Sequence, residues 1–253
     1  MQAVILSAGY GTRLYPLTKT TPKSLLPVAG RPVLEYVLEK LKYLELDKQV
    51  IVTNDRYYPK FLEWLSEYIP YFPTVVLSDR TKNEKEKLGA LGDLKLVIQK
   101  EGIDDDILLL TSDMIFSFSL NRFINAVNTR PRDNWILLYK LKARKEASRY
   151  GVAQVDELGR VVKFQEKPSE PFSNYVSFGV YYLPRNKLGL ISEFLKTHKK
   201  TDAPGEYFQW LIENDGLYGF IQSGGIWIDI GDKHQYYGAE EIVKKSRRLL
   251  WQR

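Results

Sequence analysis

The chain has 253 residues, which suits one α/β domain with a large buried core, and no stretch approaches the roughly 18 apolar residues of a membrane span. It has no cysteine, which excludes disulfides, thiolate metal sites and a cysteine nucleophile. The net charge is +6, but 37 basic residues are interleaved with 31 acidic ones and no aromatic-basic single-strand motif occurs, so we expect no nucleic acid. A modest basic excess also suits an enzyme whose substrates are phosphorylated anions.

The first half of the chain alternates short apolar runs with amphipathic stretches. We predict strands at 3–6, 49–53, 74–78, 106–111 and 134–142, and helices at 32–46, 57–68, 88–100 and 119–128. This alternation with short connections predicts an α/β fold with a doubly wound, mostly parallel sheet. Because the first strand begins at once and leaves no room for a signal peptide, we expect a cytoplasmic protein.

The second half changes character. We predict a hairpin of strands 150–156 and 160–166, strand 175–183, helices near 186–198 and 205–214, strands 217–222 and 226–230, and a final helix from about 232. No linker, composition break or internal repeat separates the halves, so residues 1–253 are interpreted as a single domain with an inserted β-lobe. For the final helix, 232–253, packing on its own domain and a contact in a homo-oligomer both remain open.

The loop after the first strand has the residues of a phosphate-binding site. Gly9 and Gly11 give a flexible backbone that can approach a polyphosphate, and Arg13 and Lys23 supply two cations to neutralise it. A P-loop would need a Lys-Ser/Thr pair closing on a second glycine, which is missing. A dinucleotide fingerprint would need glycine at position 14, where the chain has leucine. The loop is therefore neither of the two common phosphate loops.

The segment from Leu6 to Tyr36 reads LSAGYGTRLYPLTKTTPKSLLPVAGRPVLEY. It resembles the signature of the sugar-1-phosphate nucleotidyltransferases, or nucleoside-diphosphate-sugar pyrophosphorylases, roughly GxGTRLxPLTxxxPKxLLPVxGxPxLEY. The resemblance covers residues 1–235 and implies a Rossmann-like sheet of the nucleotidyltransferase type. Residues 1–142 would bind mainly the nucleotide, and residues 143–231 would form mainly a sugar-binding β-lobe. The hexapeptide repeats of the left-handed β-helix found in some relatives are absent, so no such domain is expected.

The implied reaction is attack of a sugar-1-phosphate oxygen on the α-phosphorus of a nucleoside triphosphate, with release of pyrophosphate. By the resemblance, the guanidinium of Arg13 grips the β- and γ-phosphates and Lys23 neutralises charge at the α-phosphate. Gly89 stands in Leu88-Gly89-Ala90-Leu91-Gly92, which resembles the L-G-T-A-G segment beside the nucleoside. The residues expected at the nucleotide are Leu6, Ala8, Gly9, Gly11, Thr12 and Gly89.

Two aspartates are expected to hold Mg²⁺. Asp113 follows the apolar run 107–111, at the end of a buried strand where ligands bind in open α/β sheets, and its counterpart in the family holds the metal. Asp229 matches the family's W-x-D-x-G element and would supply the second carboxylate. Because Mg²⁺ commonly takes one or two carboxylates plus phosphates, two separated aspartates suffice.

The sugar phosphate is expected at Glu166-Lys167-Pro168, which matches the family's E-K-P element. The resemblance implies that Glu166 accepts hydrogen bonds from sugar hydroxyls and that Lys167 binds the phosphate. Gly151 would give the sugar close access to the backbone, with Tyr150 beside it. Ser177 begins the segment Ser177-Phe178-Gly179, which falls where relatives often carry Asn-Ala-Gly or Thr-Gly.

The chain departs from the family pattern at a few positions that border the substrates. These are Ser7, Ala90-Leu91, Ser112 and Ser177-Phe178. They leave the reaction type intact but leave the base and the sugar open. We expect dTTP or UTP with glucose-1-phosphate. GTP with mannose-1-phosphate is the alternative, because the Ala-Gly-x-Gly loop and the L-G-x-x-G segment also suit guanylyltransferases.

Two further classes of function can be weighed on the same residues. A nucleotide-sugar-dependent glycosyltransferase usually shows Asp-x-Asp at the strand end, whereas this chain has Thr111 two residues before Asp113. A non-catalytic nucleotide-sugar-binding regulator would be expected to lose Arg13, Lys23 or a metal aspartate, and the chain keeps all of them. An Mg²⁺-dependent nucleotidyltransferase is therefore the prediction.

Overall fold

The computed structural model describes residues 1–198 and 204–246, which fall into two compact units. The first unit comprises residues 1–87, 111–121 and the described residues from 225 onward; the second comprises residues 88–110 and the described residues of 122–224. The predicted C-terminal helix beyond residue 246 lies outside the described residues. Within those residues, no helix has both the length and the apolar character needed to span a bilayer.

The elements follow the predicted alternation. The strands are β1 (Gln2–Leu6), β2 (Pro27–Val28), β3 (Arg31–Pro32), β4 (Lys48–Thr53), β5 (Thr74–Ser78), β6 (Ile107–Thr111), β7 (Met114–Phe116), β8 (Trp135–Lys140), β9 (Gly151–Val155), β10 (Val161–Glu166), β11 (Tyr175–Leu183), β12 (Tyr218–Gln222) and β13 (Trp227–Asp229). The helices are α1 (Val33–Leu41), α2 (Tyr58–Glu67), α3 (Ala90–Glu101), α4 (Asn121–Val127), α5 (Gly189–Thr197), α6 (Gly205–Asn214) and α7 (Lys233–Lys245). The predicted mixed α/β class is confirmed.

A parallel ladder forms the sheet of the first unit. Strands β1, β4 and β5 pair in parallel, so Val4 lies opposite Val50 and Val50 lies opposite Val75. The three central residues of β1 and the last five of β4 are buried, as expected for parallel strands that are covered on both faces. This ladder fixes where the loop after β1 begins.

A separate apolar core in the first unit packs that loop against α1, β7, β13 and α7. It is formed by Leu14, Leu26, Val28, Val33, Tyr36, Ile115, Ile228, Ile230, Ala239 and Val243. Strands β7 and β13 pair antiparallel within it, with Asp229 opposite Met114. Burial of these side chains therefore brings the segments that carry the predicted catalytic and metal residues to one place.

The second unit is built around the long strand β11. This strand pairs antiparallel with β6, β8 and β9, while β9 and β10 form the predicted hairpin and β12 pairs with β8 in parallel. The register between β11 and β8 shifts between Ser177 and Tyr181, and Gly179 in this bulge has φ of +90°. Only glycine adopts that backbone conformation readily.

The first helix is shorter than the predicted 32–46. It ends at Leu41, and the backbone N–H of Leu44 closes a turn on the Leu41 carbonyl at 2.8 Å. Leu44 and Leu46 nevertheless stay buried. Apolar residues at helical spacing therefore continue past the helix end, which is why the spacing overestimated its length.

Candidate active site

The loop after β1 is folded by three short 3₁₀ turns, at residues 12–14, 17–19 and 23–25. Gly11 precedes the first turn with φ of +61°, and its carbonyl accepts a hydrogen bond from Thr18 Oγ1 at 2.7 Å. An added Cβ on Gly11 would lie 3.1 Å from Thr18 Cγ2, whereas one on Gly9 would meet nothing within 4 Å. Glycine is thus required at Gly11, while Gly9, Thr12 and Arg13 lie exposed.

Three side chains hold the backbone of this loop through its carbonyl oxygens. The hydrogen bonds run from Ser112 Oγ to Leu6 O at 2.8 Å, from Asn54 Nδ2 to Ala8 O at 2.9 Å and from the Tyr57 hydroxyl to Tyr10 O at 3.1 Å. The Tyr10 hydroxyl in turn lies 2.9 Å from Thr81 Oγ1. Satisfied carbonyls at alternate positions fix the path of the loop before any ligand arrives.

Those supporting residues were missed by sequence reasoning. Asn54 directly follows the buried strand β4, so its position at the carboxyl end of a parallel strand was the available signal. Tyr57 and Thr81 offered none, because their contacts join residues that are distant in sequence.

The predicted cation and the predicted metal ligand meet in the first unit. The Lys23 ammonium donates a hydrogen bond to the Asp113 carboxylate, and both side chains are largely buried, at 19% and 28% exposure. Burial would raise the pKa of Asp113, but the charge and hydrogen bond of Lys23 outweigh it and hold that pKa below its ordinary value. Asp113 is therefore ionised when paired with Lys23.

Asp229 shares this electrostatic environment. Burial, which is the largest effect, and the negative charge of Asp113 raise the pKa of Asp229 to about 6. The positive charges of Lys23 and Arg13 act in the opposite direction. The backbone N–H of Ile230 donates to the Asp113 carbonyl at 2.8 Å. The two aspartates and the two cations thus influence one another, as the sequence interpretation requires.

The carboxylate of Asp229 is seated against the start of α7. A Cβ on Gly231 would lie 3.0 Å from Asp229 Oδ2 and 2.7 Å from Gln235 Oε1, so glycine leaves room for both groups. Gln235 Nε2 approaches Asp229 Oδ2 at 3.5 Å, and Gln235 Oε1 accepts from the Gly231 N–H at 3.0 Å. Asp232 caps the helix by accepting from the Gln235 N–H at 2.9 Å.

The donor set suits a hard divalent cation that shares its coordination with a ligand. Among the described residues there is no group of three or more His, Asp or Glu side chains able to hold a metal ion. What the first unit offers is the carboxylate pair Asp113 and Asp229, and Mg²⁺ is commonly bound by one or two carboxylates plus phosphate oxygens and water. The residues present therefore fit Mg²⁺ as a metal bound together with a phosphorylated substrate.

The predicted sugar-phosphate residues gather at the end of the β9–β10 hairpin, in the second unit. Glu166 pairs with Gly151, and the Lys167 N–H donates to the Tyr150 carbonyl at 3.0 Å. Lys167 has φ of +45°, a left-handed conformation that costs a non-glycine residue about 1 kcal/mol or more. Pro168 is buried and follows directly. Strain held at an exposed lysine is a feature that clusters at ligand sites.

Two opposite charges stand at this hairpin end. Lys167 Nζ lies 3.8 Å from Glu166 Oε1, with side-chain exposures of 59% and 34%. Burial raises the pKa of Glu166, and the positive charge of Lys167 acts in the opposite direction. The pair offers one acceptor and one cation, which is what a sugar phosphate would need.

Two predicted residues of the second unit lie on other elements. Ser177 stands at the β11 bulge, where its hydroxyl lies 2.9 Å from the Tyr181 hydroxyl. Gly89 precedes α3 with φ of +79°, and its carbonyl accepts from the Asp93 N–H at 2.9 Å. The structure thus joins Lys23 with Asp113 and Asp229, and Tyr150 with Gly151, Glu166 and Lys167. For Ser177 and Gly89 it shows the local hydrogen bonds given above.

Curated relatives match nearly the whole of this chain. Mannose-1-phosphate guanylyltransferase 1 of Arabidopsis thaliana is 32% identical over 252 residues, 98% of this chain and 66% of the relative. The bifunctional protein GlmU of Methanococcus aeolicus is 31% identical over 256 residues, 97% of this chain and 55% of the relative. The chain thus spans between about half and just under two thirds of the length of these relatives.

Solved structures confirm the fold. A Bacillus anthracis protein assigned as a glucose-1-phosphate thymidylyltransferase and crystallised with sucrose superposes with a TM-score of 0.79 at 24% identity, covering 96% of this chain and 95% of that one. A UDP-glucose pyrophosphorylase complexed with UDP-glucose gives 0.78 at 20% identity, covering 97% and 99%. The central, mostly parallel sheet of a mixed α/β fold is common to them. The family model described as nucleotidyl transferase matches residues 2–246, and the chain therefore belongs to this family.

Proposed function

We propose that the protein is a sugar-1-phosphate nucleotidyltransferase. In the reaction, an oxygen of the sugar phosphate forms a bond to the α-phosphorus of a nucleoside triphosphate. The bond from that phosphorus to the bridging oxygen breaks, and its electron pair leaves with pyrophosphate. The observation that carries the proposal is the ion pair between Lys23 and Asp113, whose charges also act on Asp229. Lys23 lies on the same loop as Gly11 and Arg13.

The first unit would bind the triphosphate. Arg13 is exposed on a loop whose backbone is fixed by hydrogen bonds, so its planar guanidinium can reach the β- and γ-phosphates. Lys23 would neutralise the charge that develops around the α-phosphate. The nucleophile is already an anion, so positioning and charge neutralisation supply most of the catalysis. The backbone of Leu6, Ala8, Gly9, Gly11 and Thr12 would border the nucleotide.

The second unit would bind the sugar phosphate. Glu166 would accept hydrogen bonds from sugar hydroxyls, and the exposed ammonium of Lys167 would pair with the phosphate. Tyr150 and Gly151 lie on the adjoining hairpin strand. Ser177 and Gly89 are proposed at the sugar and at the nucleoside, as the family resemblance implies.

Asp113 and Asp229 would hold Mg²⁺. The ion would supply positive charge to the phosphate oxygens of the bound substrate. Their ionised form is the one that binds a metal, and Lys23 favours that form in both residues. Lys23, which pairs with Asp113 in this structure, would supply its positive charge to the substrate phosphates.

Two substrate pairs are proposed. The family signature favours dTTP or UTP with glucose-1-phosphate. The identity of 32% to a mannose-1-phosphate guanylyltransferase supports GTP with mannose-1-phosphate as the second candidate. The solved neighbours are less than 25% identical and support the fold alone. Cytoplasmic placement and a homo-oligomer stay predictions.

The decisive experiment measures pyrophosphate release with Mg²⁺, across five nucleoside triphosphates and a panel of sugar-1-phosphates. Release that requires one triphosphate and one sugar phosphate together supports the proposal and names the substrates. Silence across the panel, with nucleotide sugars still binding to folded protein, would reject catalysis in favour of a non-catalytic nucleotide-sugar-binding regulator.

A further inference from the structure

The carboxylate of Glu166 lies against two glycines of the second unit. A Cβ on Gly205, the first residue of α6, would be 2.6 Å from Glu166 Oε2 and 3.3 Å from Glu166 Cβ. A Cβ on Gly151 would be 2.9 Å from the same oxygen and 2.4 Å from Phe164 Cζ. Contacts below 3.0 Å require one of the two groups to move. A Cβ at Gly205 would therefore displace the flexible end of the Glu166 side chain, and one at Gly151 would also collide with the Phe164 ring.

Aromatic side chains pack closely around Glu166 and Gly205 and restrict movement of the α6 backbone. Phe164, on the same strand as Glu166, makes an edge contact with Phe208 of α6 at 5.7 Å between ring centroids. Phe208 packs on Tyr181 of β11 at 4.5 Å, and all three rings are buried. Because Gly205 and Phe208 are three residues apart, they share one face of α6. Moving Gly205 away from Glu166 would therefore disturb this aromatic cluster.

The glycine at 205 is not explained by its own backbone. Its φ lies outside the left-handed region, and alanine is a better helix former than glycine. Gly189 is a matched comparison, since it is the first residue of α5 in the same unit and an added Cβ would meet nothing within 4 Å. What distinguishes Gly205 is its contact with the Glu166 side chain, whose carboxylate is the nearest group, and with the Phe164 ring, whose Cε1 would lie 3.1 Å from the added Cβ.

We propose that Gly205 is a positioning residue for sugar recognition, which keeps the Glu166 carboxylate at the end of the β9–β10 hairpin. The missing Cβ lets α6 lie close enough to enclose the carboxylate and define its direction. A methyl group at this position would push the carboxylate away from α6 while leaving Lys167, which binds the phosphate, unchanged. This inference rests on the proposed function, because it assigns Glu166 to the sugar hydroxyls.

The test is Gly205→Ala with Gly189→Ala as the control, assayed with glucose-1-phosphate and dTTP and with mannose-1-phosphate and GTP. For the pair that the wild type turns over, Gly205→Ala should raise the sugar-phosphate KM by about tenfold, the loss expected for misplacing one charged hydrogen-bond partner. The triphosphate KM and kcat should change less than about threefold. Gly189→Ala should match the wild type in all three values.

A Glu166→Asp background tests whether the effect of Gly205→Ala acts through the carboxylate. Glu166→Asp withdraws the acidic group by one methylene, so adding Gly205→Ala to Glu166→Asp should change the sugar-phosphate KM by less than about twofold. An unchanged sugar KM in Gly205→Ala, or equal effects of the alanine in both backgrounds, would overturn the inference while leaving the proposed function standing. If Gly205→Ala prevents folding both alone and together with Glu166→Asp, the constraint lies in packing against Phe164 and the inference is wrong. A wild type that turns over no pair in the panel of triphosphates and sugar-1-phosphates rejects the proposed function, and the inference falls with it.

Discussion

Lys23 donates a hydrogen bond to Asp113, which lies 90 residues further along the chain. This contact places a lysine from the loop after β1 on a buried carboxylate, where its charge and hydrogen bond are the largest influences that lower the pKa of Asp113. Burial and the negative charge of Asp113 raise the pKa of the neighbouring Asp229 to about 6. The positive charge of Lys23 lowers the pKa of both aspartates against these effects.

Lys23→Ala should lower kcat by about 100-fold or more, the effect of removing one preorganised electrostatic donor. The measurement is steady-state pyrophosphate release with the active substrate pair. Lys19→Ala removes an exposed lysine from the same loop and should change kcat less than about twofold. If folded Lys23→Ala protein turns over like the wild type, Lys23 has no part in the mechanism.

Asp113→Asn should remove Mg²⁺-dependent turnover while the protein stays folded. Loss of one of two carboxylates should weaken Mg²⁺ binding in the presence of the triphosphate by at least about tenfold, measured by calorimetry. Asp104→Asn is the control, because Asp104 is 74% exposed and paired with Arg185 on the surface, where an ion pair contributes little. Wild-type metal binding by Asp113→Asn would exclude Asp113 as a ligand.

Local patterns predicted the elements but not all of their partners. The apolar runs predicted the observed bounds of β5 and β11, because the apolar pattern of a buried strand can be recognised in consecutive residues. Strand β7 escaped prediction, since its pairing partner is β13, more than a hundred residues later. The antiparallel direction of β11 against β6 is likewise a choice made by tertiary packing.

The same distinction, between residues recognisable from local sequence and residues that depend on tertiary packing, applies to the candidate site. Arg13, Lys23, Glu166 and Lys167 were recognisable because they belong to contiguous motifs. Gly205 and Asn54 were not, because their importance depends on which atoms tertiary packing brings beside them. Motifs therefore predict the groups proposed to contact substrate better than the groups that position them.

Lys167→Ala should raise the sugar-phosphate KM by about tenfold, since a charge-assisted hydrogen bond to the phosphate is lost. The triphosphate KM should stay within about twofold. Lys163→Ala is the matched control, because Lys163 is an exposed lysine on β10, the strand that ends just before Lys167, and its ammonium lies 4.2 Å from the Phe172 ring centroid. An effect of Lys167→Ala on the triphosphate alone would contradict the assignment.

Glu166 should make stability depend on pH in a defined direction. Burial raises its folded pKa above the ordinary value of 4.5, so the folded protein binds more protons than the unfolded chain between those two values. This contribution to stability is present at low pH and is lost as pH rises through the raised pKa. Relative to Glu166→Gln, the wild-type Tm should therefore fall as the pH rises from about 4.5 through the raised pKa of Glu166. A constant difference in Tm across this rise in pH would show that folding does not raise the pKa of Glu166.

Asn54 should be a stability residue of the phosphate-binding loop. Its side chain is fully buried, donates to the Ala8 carbonyl at 2.9 Å and accepts from the Tyr57 N–H at 3.1 Å. Asn54→Ala removes both bonds and leaves a buried carbonyl unsatisfied, so the free energy of unfolding should fall by roughly 2–3 kcal/mol, measured by urea denaturation.

Two comparisons separate these bonds from the general cost of a substitution. Asn83→Ala, at an exposed asparagine bonded to Glu86, should stay within about 0.5 kcal/mol of the wild type. Asn54→Asp keeps the acceptor for Tyr57 but sets a carboxylate against the Ala8 carbonyl, so it should be destabilised as well. Wild-type stability in Asn54→Asp would mean that the bond to Ala8 contributes nothing, and that the loop is held by Ser112 and Tyr57 alone.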